Sequence, residues 1–357
     1  MVRVGVIGLG YWGPNLVRNF SELPGSEVTV LCDVDPDRLK KVSSRYPLAY
    51  ATANVDEVLN PKRVDAVVIA TPTRTHYSLA RKALENGLHV FTEKPMATSV
   101  RECEELIRLS KENGRTLFVG HIFLYNASVL KLKEYVRGGE LGNICYICSS
   151  RLNLGPVRSD VNALWDLATH DISILLHLVE SDPVSVNCQG LAYLNRRIRD
   201  VCTVTIHFEN GCMAILHASW LDPNKVRTMT IVGDRKMAVY NDIEPLEKIK
   251  IYEKGVDKPP YTDTYGEFQF SYRYGDTFSP RVVEVESLKA ECRHFIECVE
   301  QGLTPRTDGV NGLKVVNVLT AAEFSLQNGG GRVSLGTPAA HPSQSKREGD
   351  DRATRNP

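Results

Sequence analysis

Gly8-Leu9-Gly10-Tyr11-Trp12-Gly13 lies between an apolar run and a helical pattern, and that setting constrains the fold more than any other stretch of the 357 residues. The run before it, Val2-Arg3-Val4-Gly5-Val6-Ile7, reads as a strand buried on both faces. Asn15 to Phe20, after it, reads as the first turns of a helix. Glycines at this spacing also occur in loops that hold nothing, but the strand before and the helix after argue for a ligand. The first glycine makes the tight turn, the second lets backbone approach a pyrophosphate, and the third lets helix and strand pack closely. Tyr11 and Trp12 fill the variable positions of this expected cofactor loop. A second strand, Glu27–Cys32, ends on Asp33, twenty residues beyond Gly13. At that spacing a carboxylate accepts the ribose hydroxyls of a bound adenosine. Asp33 repels a 2′-phosphate, Val34 brings no cation, and Arg38 falls in the following helix. The expected cofactor is therefore NAD rather than NADP.

Strand and helix patterns alternate through the first third of the chain. Val64–Ala70, Leu88–Phe91 and Thr116–Gly120 read as strands, and His76–Asn86 and about Ser99–Glu112 as helices. This predicts an α/β Rossmann domain, a doubly wound parallel sheet, over residues 1–122. Helices near Ser128–Arg137 and Leu164–Glu180 then bracket a strand at Asn143–Asn153. Five strands follow: Val184–Cys188, Cys202–Phe208, Cys212–Trp220, Arg227–Val232 and Met237–Tyr240. Adjacent strands with segregated helices predict an α+β domain with a large, mainly antiparallel open sheet over residues 123–335. Residues 253–285, rich in Tyr, Asp, Gly and Pro, are expected as a long connection or lid-like excursion. Helices at about Val285–Gln301 and Val310–Gln327 come next, and residues 336–357 are expected as a disordered tail. Tyr146, Cys148, Val204, Ile206, Met213 and Leu216 suggest apolar side chains on both faces of the second sheet. A homo-oligomer, dimer or tetramer, joined through that sheet is the corresponding expectation.

Lys+Arg and Asp+Glu both total 43, so no long-range field draws nucleic acid or an anionic membrane. The chain shows no membrane-spanning run and opens directly in a strand rather than a signal peptide, which predicts a cytoplasmic location. Nine cysteines, several in apolar runs, read as reduced, buried thiols. Cys145 and Cys148 have metal-site spacing, but residues three apart on a strand face opposite ways and no second pair follows. No metal is expected.

Three groups carry candidate chemistry. Glu93-Lys94-Pro95 follows the strand Leu88–Phe91, and ligands of open parallel sheets sit at the carboxyl ends of the strands. Asp166 and His170 are four apart on a predicted helix, so a carboxylate would stack beside an imidazole, fix its tautomer and raise its basicity. A solvated ion pair is the bland alternative, and a shared metal lacks further ligands. Asn153, Arg158, Asp160, Asn162 and Trp165 mix amides, charge and an aromatic ring, which suits a hydroxyl-rich substrate as well as a polar cap on the helix start. Arg151, Arg158 and Lys225 are the local cations available to a diphosphate.

Gly8, Gly10, Gly13 and Asp33, then Glu93-Lys94-Pro95, then Asp166-x-x-x-His170 together resemble the Gfo/Idh/MocA family over about residues 1–335. Thr71-Pro72-Thr73 and His76 match that family's loop beneath the nicotinamide. The resemblance implies that Lys94 orients a reacting alcohol, that His170 is the acid/base, and that Asp166 positions substrate or His170. It places Lys94, Asp166 and His170 at the substrate, where Asn153, Arg158 and Trp165 are the further candidates from the residue reading. Within the family the chain looks most similar to NAD-dependent dehydrogenases that oxidise C3 of UDP-N-acetylglucosamine or its uronic acid. The alternatives are a dehydrogenase or ketoreductase of inositol, glucose or a deoxysugar nucleotide, an NAD-dependent glycosidase, and a non-catalytic dinucleotide sensor.

Overall fold

The computed structural model describes residues 1–155, 161–196, 198–257 and 271–336. Arg158, Asp160 and the expected tail beyond residue 336 lie outside the described residues. The first sheet is parallel and runs in the order β3-β2-β1-β4-β5-β6, with β1 Val2–Ile7, β2 Ser26–Cys32, β3 Tyr50–Thr52, β4 Ala66–Ile69, β5 His89–Glu93 and β6 Leu117–Gly120. The central strands are buried on both faces because helices cover them. Those helices are α1 Gly13–Glu22, α2 Pro36–Ser43, α3 Val55–Val58, α4 His76–Glu85 and α5 Val100–Glu112. Their starts follow local chemistry: Asp35 accepts the amides of Asp37 and Arg38 to cap α2, and Ser99 accepts that of Glu102 to cap α5. The expected doubly wound sheet is the observed one.

The second sheet has nine strands: β7 Ile144–Leu152, β8 Pro183–Leu191, β9 Val201–Phe208, β10 Met213–Ser219, β11 Val226–Gly233, β12 Met237–Asn241, β13 Ile249–Asp257, β14 Ser271–Phe278 and β15 Val333–Ser334. Their order is β14-β13-β12-β11-β7-β10-β9-β8-β15, antiparallel throughout except between β7 and β10. The expected antiparallel character holds, and two other expectations need correcting. Residues 253–285 are not a plain excursion, since β13 and β14 pair there as an edge hairpin. Nearly all of β14 is exposed, so no apolar alternation marks it in the sequence. Val204, Ile206 and Leu216 belong to the inner face and are fully buried. The outer face carries the other three, with Tyr146 next to Met213 and Cys148 beside Ile215 and Thr230, so apolar side chains do lie on both faces. Cys145 and Cys148 are exposed rather than buried, because β7 presents Cys148 on its uncovered side and Cys145 lies near the strand's start.

Four further helices fix how the two sheets meet: α6 Ala127–Arg137, α7 Thr169–Val179, α8 Ser287–Gln301 and α9 Gly309–Gln327. The last two return to the first sheet. Phe295 of α8 stands edge-on to Phe91 of β5 at 5.6 Å and to Phe118 of β6 at 5.4 Å. Helix α9 lies between α5 and β8. The chain's C-terminal third therefore closes the core of its N-terminal third, and the clefts at the carboxyl ends of β5 and β6 face β10 and α7. Among the described residues no helix is long and apolar enough to cross a membrane.

Candidate functional site

The glycine loop is shaped by two close approaches. Gly8 has φ +95°, and a Cβ there would stand 2.6 Å from the carbonyl oxygen of Ala70. At Gly13 a Cβ would meet the Gly8 carbonyl at 2.0 Å, so helix and strand touch through backbone. Gly10 has only the Arg38 guanidinium nearby, at 3.7 Å, which leaves its face open to a ligand. The first turn of α1 carries no acidic residue, so its free amides present an unopposed positive end to a pyrophosphate. Asp33 is 7% exposed, and its carboxylate accepts the amides of Leu9 at 2.6 Å and Asp35 at 2.8 Å. Asp33 thus ties the end of β2 to the glycine loop while its remaining lone pairs stay available. Arg38, placed in the following helix by the sequence, reaches back over the loop and pairs with Asp35 at 3.2 Å. Tyr11 is exposed and stacks on Trp12, with ring centroids 6.2 Å apart.

Two neighbouring loops are joined by one imidazole. His76, 1% exposed, places Nδ1 2.8 Å from the Pro95 carbonyl and Nε2 2.8 Å from the Thr71 carbonyl. Thr75 adds a bond to the Thr71 hydroxyl at 2.7 Å. The Thr71-Pro72-Thr73 turn after β4 and the Glu93-Lys94-Pro95 turn after β5 are therefore held as a unit, with the Lys94–Pro95 peptide cis. His76 acts here through the two loops, both its nitrogens being engaged by backbone.

Glu93 is buried at the end of β5. Its Oε1 has no partner, and Oε2 receives the Lys94 amide at 3.3 Å. Burial raises its carboxyl to about 7, against the pull of the Lys94 charge. Glu291 of α8 is fully buried as well, and burial together with Glu93 drives its carboxyl well above the usual range. Lys94 projects the other way, toward α7. Its ammonium donates to the Asp166 carbonyl at 3.0 Å and stands 3.9 Å from that residue's carboxylate.

Asp166 does not accept a hydrogen bond from His170 Nδ1, which has no partner. Residues Leu164–Ala168 form a π-helical turn ahead of α7, and the Thr169 hydroxyl bonds back to the Trp165 carbonyl at 2.5 Å. That back-bond adds a second kind of donor to the helix's own ladder, and the π-helical turn widens the helix just ahead of His170. Asp166 turns to Lys94 and to the Trp220 indole, which donates to Oδ2 at 3.2 Å. His170 instead meets the edge of Phe123 at 5.0 Å, and its Nδ1 is buried without a partner. Its basicity is lowered, not raised: burial and the charges of Lys94 and Arg151 hold the imidazole well below its ordinary value.

The remaining candidates are dispersed. Trp165 and Asn162 both donate to one oxygen of Glu323 on α9, at 3.2 and 2.8 Å, so their polar atoms anchor the helix start. Asn153 ends β7, with its amide bonded to the Ser219 carbonyl at 3.1 Å. Arg151 is not a free cation, because it is buried in a two-point pair with Asp171, which also accepts the Ser149 hydroxyl at 2.7 Å. Lys225 is exposed before β11. Among the described residues no group of three or more His, Cys, Asp or Glu is arranged to hold a metal.

Two residues at the site escaped the sequence reading. His121 follows β6, is fully buried with both ring nitrogens unpartnered, and is pushed down to about 3 by burial and Lys94. Its place at the carboxyl end of a parallel strand was a usable signal. Trp220 had none, because it lies far from Asp166 in sequence and follows an unremarkable strand.

The geometry is matched by known proteins. Residues 2–121 fit the model of an oxidoreductase family with an NAD-binding Rossmann fold, and residues 129–239 fit the GFO/IDH/MocA C-terminal domain. The chain is 27% identical over 331 residues to a UDP-N-acetylglucosamine 3-dehydrogenase of Acidithiobacillus ferrooxidans, covering 91% of this chain and 99% of that protein. It is 25% identical over 341 residues to a scyllo-inositol 2-dehydrogenase (NAD(+)) of Bacillus subtilis, covering 92% and 95%. A solved structure of the Acidithiobacillus enzyme superposes with a TM-score of 0.78 at 25% identity, covering 92% of this chain and 98% of that one. The parallel first sheet and the mainly antiparallel second sheet agree with these matches, and the chain belongs to the Gfo/Idh/MocA family of oxidoreductases, with an NAD-binding Rossmann domain at its N-terminal end.

Proposed function

We propose that this oxidoreductase is an NAD-dependent dehydrogenase of a secondary alcohol on a sugar, C3 of UDP-N-acetylglucosamine or of its uronic acid. The observation that supports the reading is the pairing of Lys94, at the carboxyl end of β5, with Asp166, the Lys94 charge also being felt at His170. The choice of sugar rests on the 27% identical relative, whose whole length the chain matches. Gly8, Gly10 and Gly13 would seat the pyrophosphate of NAD, and Asp33 the adenosine ribose, since a Cβ at either outer glycine would strike backbone. Bound NAD supplies the hydride acceptor.

Oxidation removes a hydride from carbon and a proton from oxygen. His170, uncharged at neutral pH, is free to accept the hydroxyl proton. The Lys94 ammonium stabilises the developing negative charge on that oxygen, and Asp166 holds the ammonium in place. Asn153, Trp165 and Arg158 complete the proposed substrate set.

The test is mass spectrometry of UDP-N-acetylglucosamine, its uronic acid, a deoxysugar nucleotide, inositol and glucose after incubation with protein and NAD. A two-hydrogen loss on a UDP-sugar is expected, and loss confined to inositol or glucose would overturn the assignment of substrate. Lys94→Ala and His170→Ala should each lower turnover by about a hundred-fold or more while NAD affinity is kept. An unchanged rate in Lys94→Ala removes the assigned mechanism.

A further inference from the structure

Trp220 stands at the end of β10, on the second sheet, yet its indole reaches the carboxylate that faces Lys94. We infer that Trp220 is a positioning residue of the reaction, its indole N–H fixing the Asp166 carboxylate in the orientation that holds the Lys94 ammonium. The inference rests on the proposed roles of Lys94 and Asp166.

The geometry supports this in three ways. Trp220 is 1% exposed, so its N–H is shielded, and it donates to a partly buried, charged acceptor, a strong kind of hydrogen bond. Its backbone is pinned as well. The Trp220 amide donates to the Asp200 carbonyl at 3.0 Å, and the Ser219 hydroxyl takes the Leu221 amide at 2.9 Å. Asp200 is itself fully buried and accepts the amides of Tyr193 and Leu194 at 2.6 and 3.0 Å. A donor locked by such supports aims its N–H in one direction.

The third argument is the division of the carboxylate's two oxygens. Oδ2 takes the indole and Oδ1 faces the ammonium, while the Asp166 carbonyl accepts the ammonium directly. In an unbroken α-helix that carbonyl would serve the ladder, and the carboxylate would lie over His170. The π-helical turn presents both groups to Lys94, and the indole stops the carboxylate from swinging back toward the imidazole. Without it, the carboxylate would share its charge between Lys94 and His170, and the imidazole would become easier to protonate.

A double-mutant cycle reads this out. Trp220→Phe keeps the ring and loses only the N–H. It should lower kcat about ten-fold or more with KM for NAD unchanged, and move the acidic limb of the kcat profile to higher pH. In the background of Asp166→Asn the same change should add little. Full additivity, or an unchanged kcat and pH profile in Trp220→Phe, overturns the inference while leaving the proposed chemistry standing. An Asp166→Asn variant with wild-type turnover overturns both. If Trp220→Phe does not fold, the indole N–H resonance decides, since the chain has three tryptophans and their signals are separable. In the wild-type protein that of Trp220 should lie downfield and move upfield in Asp166→Asn, and an unmoved resonance overturns the inference.

Discussion

Glu93 is the residue whose charge state should be visible in stability. Its folded carboxyl titrates at about 7 against an ordinary 4.5, because burial disfavours the ion. Between those values the folded protein binds the proton more tightly than the unfolded chain. Stability is therefore fullest below about 4.5 and falls as pH rises through 7, by up to about 3 kcal/mol from this group. Urea unfolding of the cofactor-free protein at pH 5 and pH 7.5 should show the loss, and Glu93→Gln should flatten it. An identical pH dependence in the two proteins would assign the effect to other groups, Glu291 first among them. At this scale the sequence was informative where a residue's task depends on its neighbours in the chain. Gly8 makes the turn and Gly13 the close helix–strand approach that their spacing implies. Between Asp166 and His170 the sequence implied a regular helical turn, whereas Leu164–Ala168 form a π-helical one with a hydroxyl back-bond from Thr169.

Elements are tied to one another by charge and by aromatic packing, and each tie has a measurable size. Arg151 of β7 and Asp171 of α7 form a buried pair, so Asp171→Ala leaves a guanidinium stranded in the interior. That variant should lose about 3–5 kcal/mol in chemical denaturation, whereas replacing both residues by apolar ones of similar size should cost far less. Equal losses in the two variants would mean that the pair itself supplies the stability. The position of α7, and with it His170, depends on this pair, since the Arg151 guanidinium also lies 4.5 Å over the Phe123 ring that meets the imidazole. The hairpin of β13 and β14 marks the limit of pattern reading at the element scale. Its strands pair through backbone, and an exposed edge needs no apolar alternation to form.

The whole molecule is one interlocked body in which α8 and α9 complete the first sheet's core and the second sheet stands across the cleft. Its nine-stranded sheet keeps one uncovered face where Ile215, Cys148 and Tyr146 are mixed with threonines. Association of copies through this face is the expected state, because it removes those side chains from water. Sedimentation at micromolar concentration should report a multiple of the 39.8 kDa chain mass, and Ile215→Lys should shift it toward one copy. A wild-type protein that sediments as a monomer would refute this.

The sequence by itself determined the parallel sheet, the glycine loop with Asp33 and the antiparallel second sheet, because each is written in neighbouring residues: apolar runs, turn glycines, strand alternation. It also brought Lys94 to the carboxyl end of a strand, a consequence of topology alone. Only the tertiary structure decided what Lys94 meets there. Trp220 and Glu291 reach the site from distant elements, and no local periodicity encodes a contact between side chains so far apart in the chain. The fold is legible from short-range pattern; the site is made by long-range packing, which positions a carboxylate by an indole from another sheet.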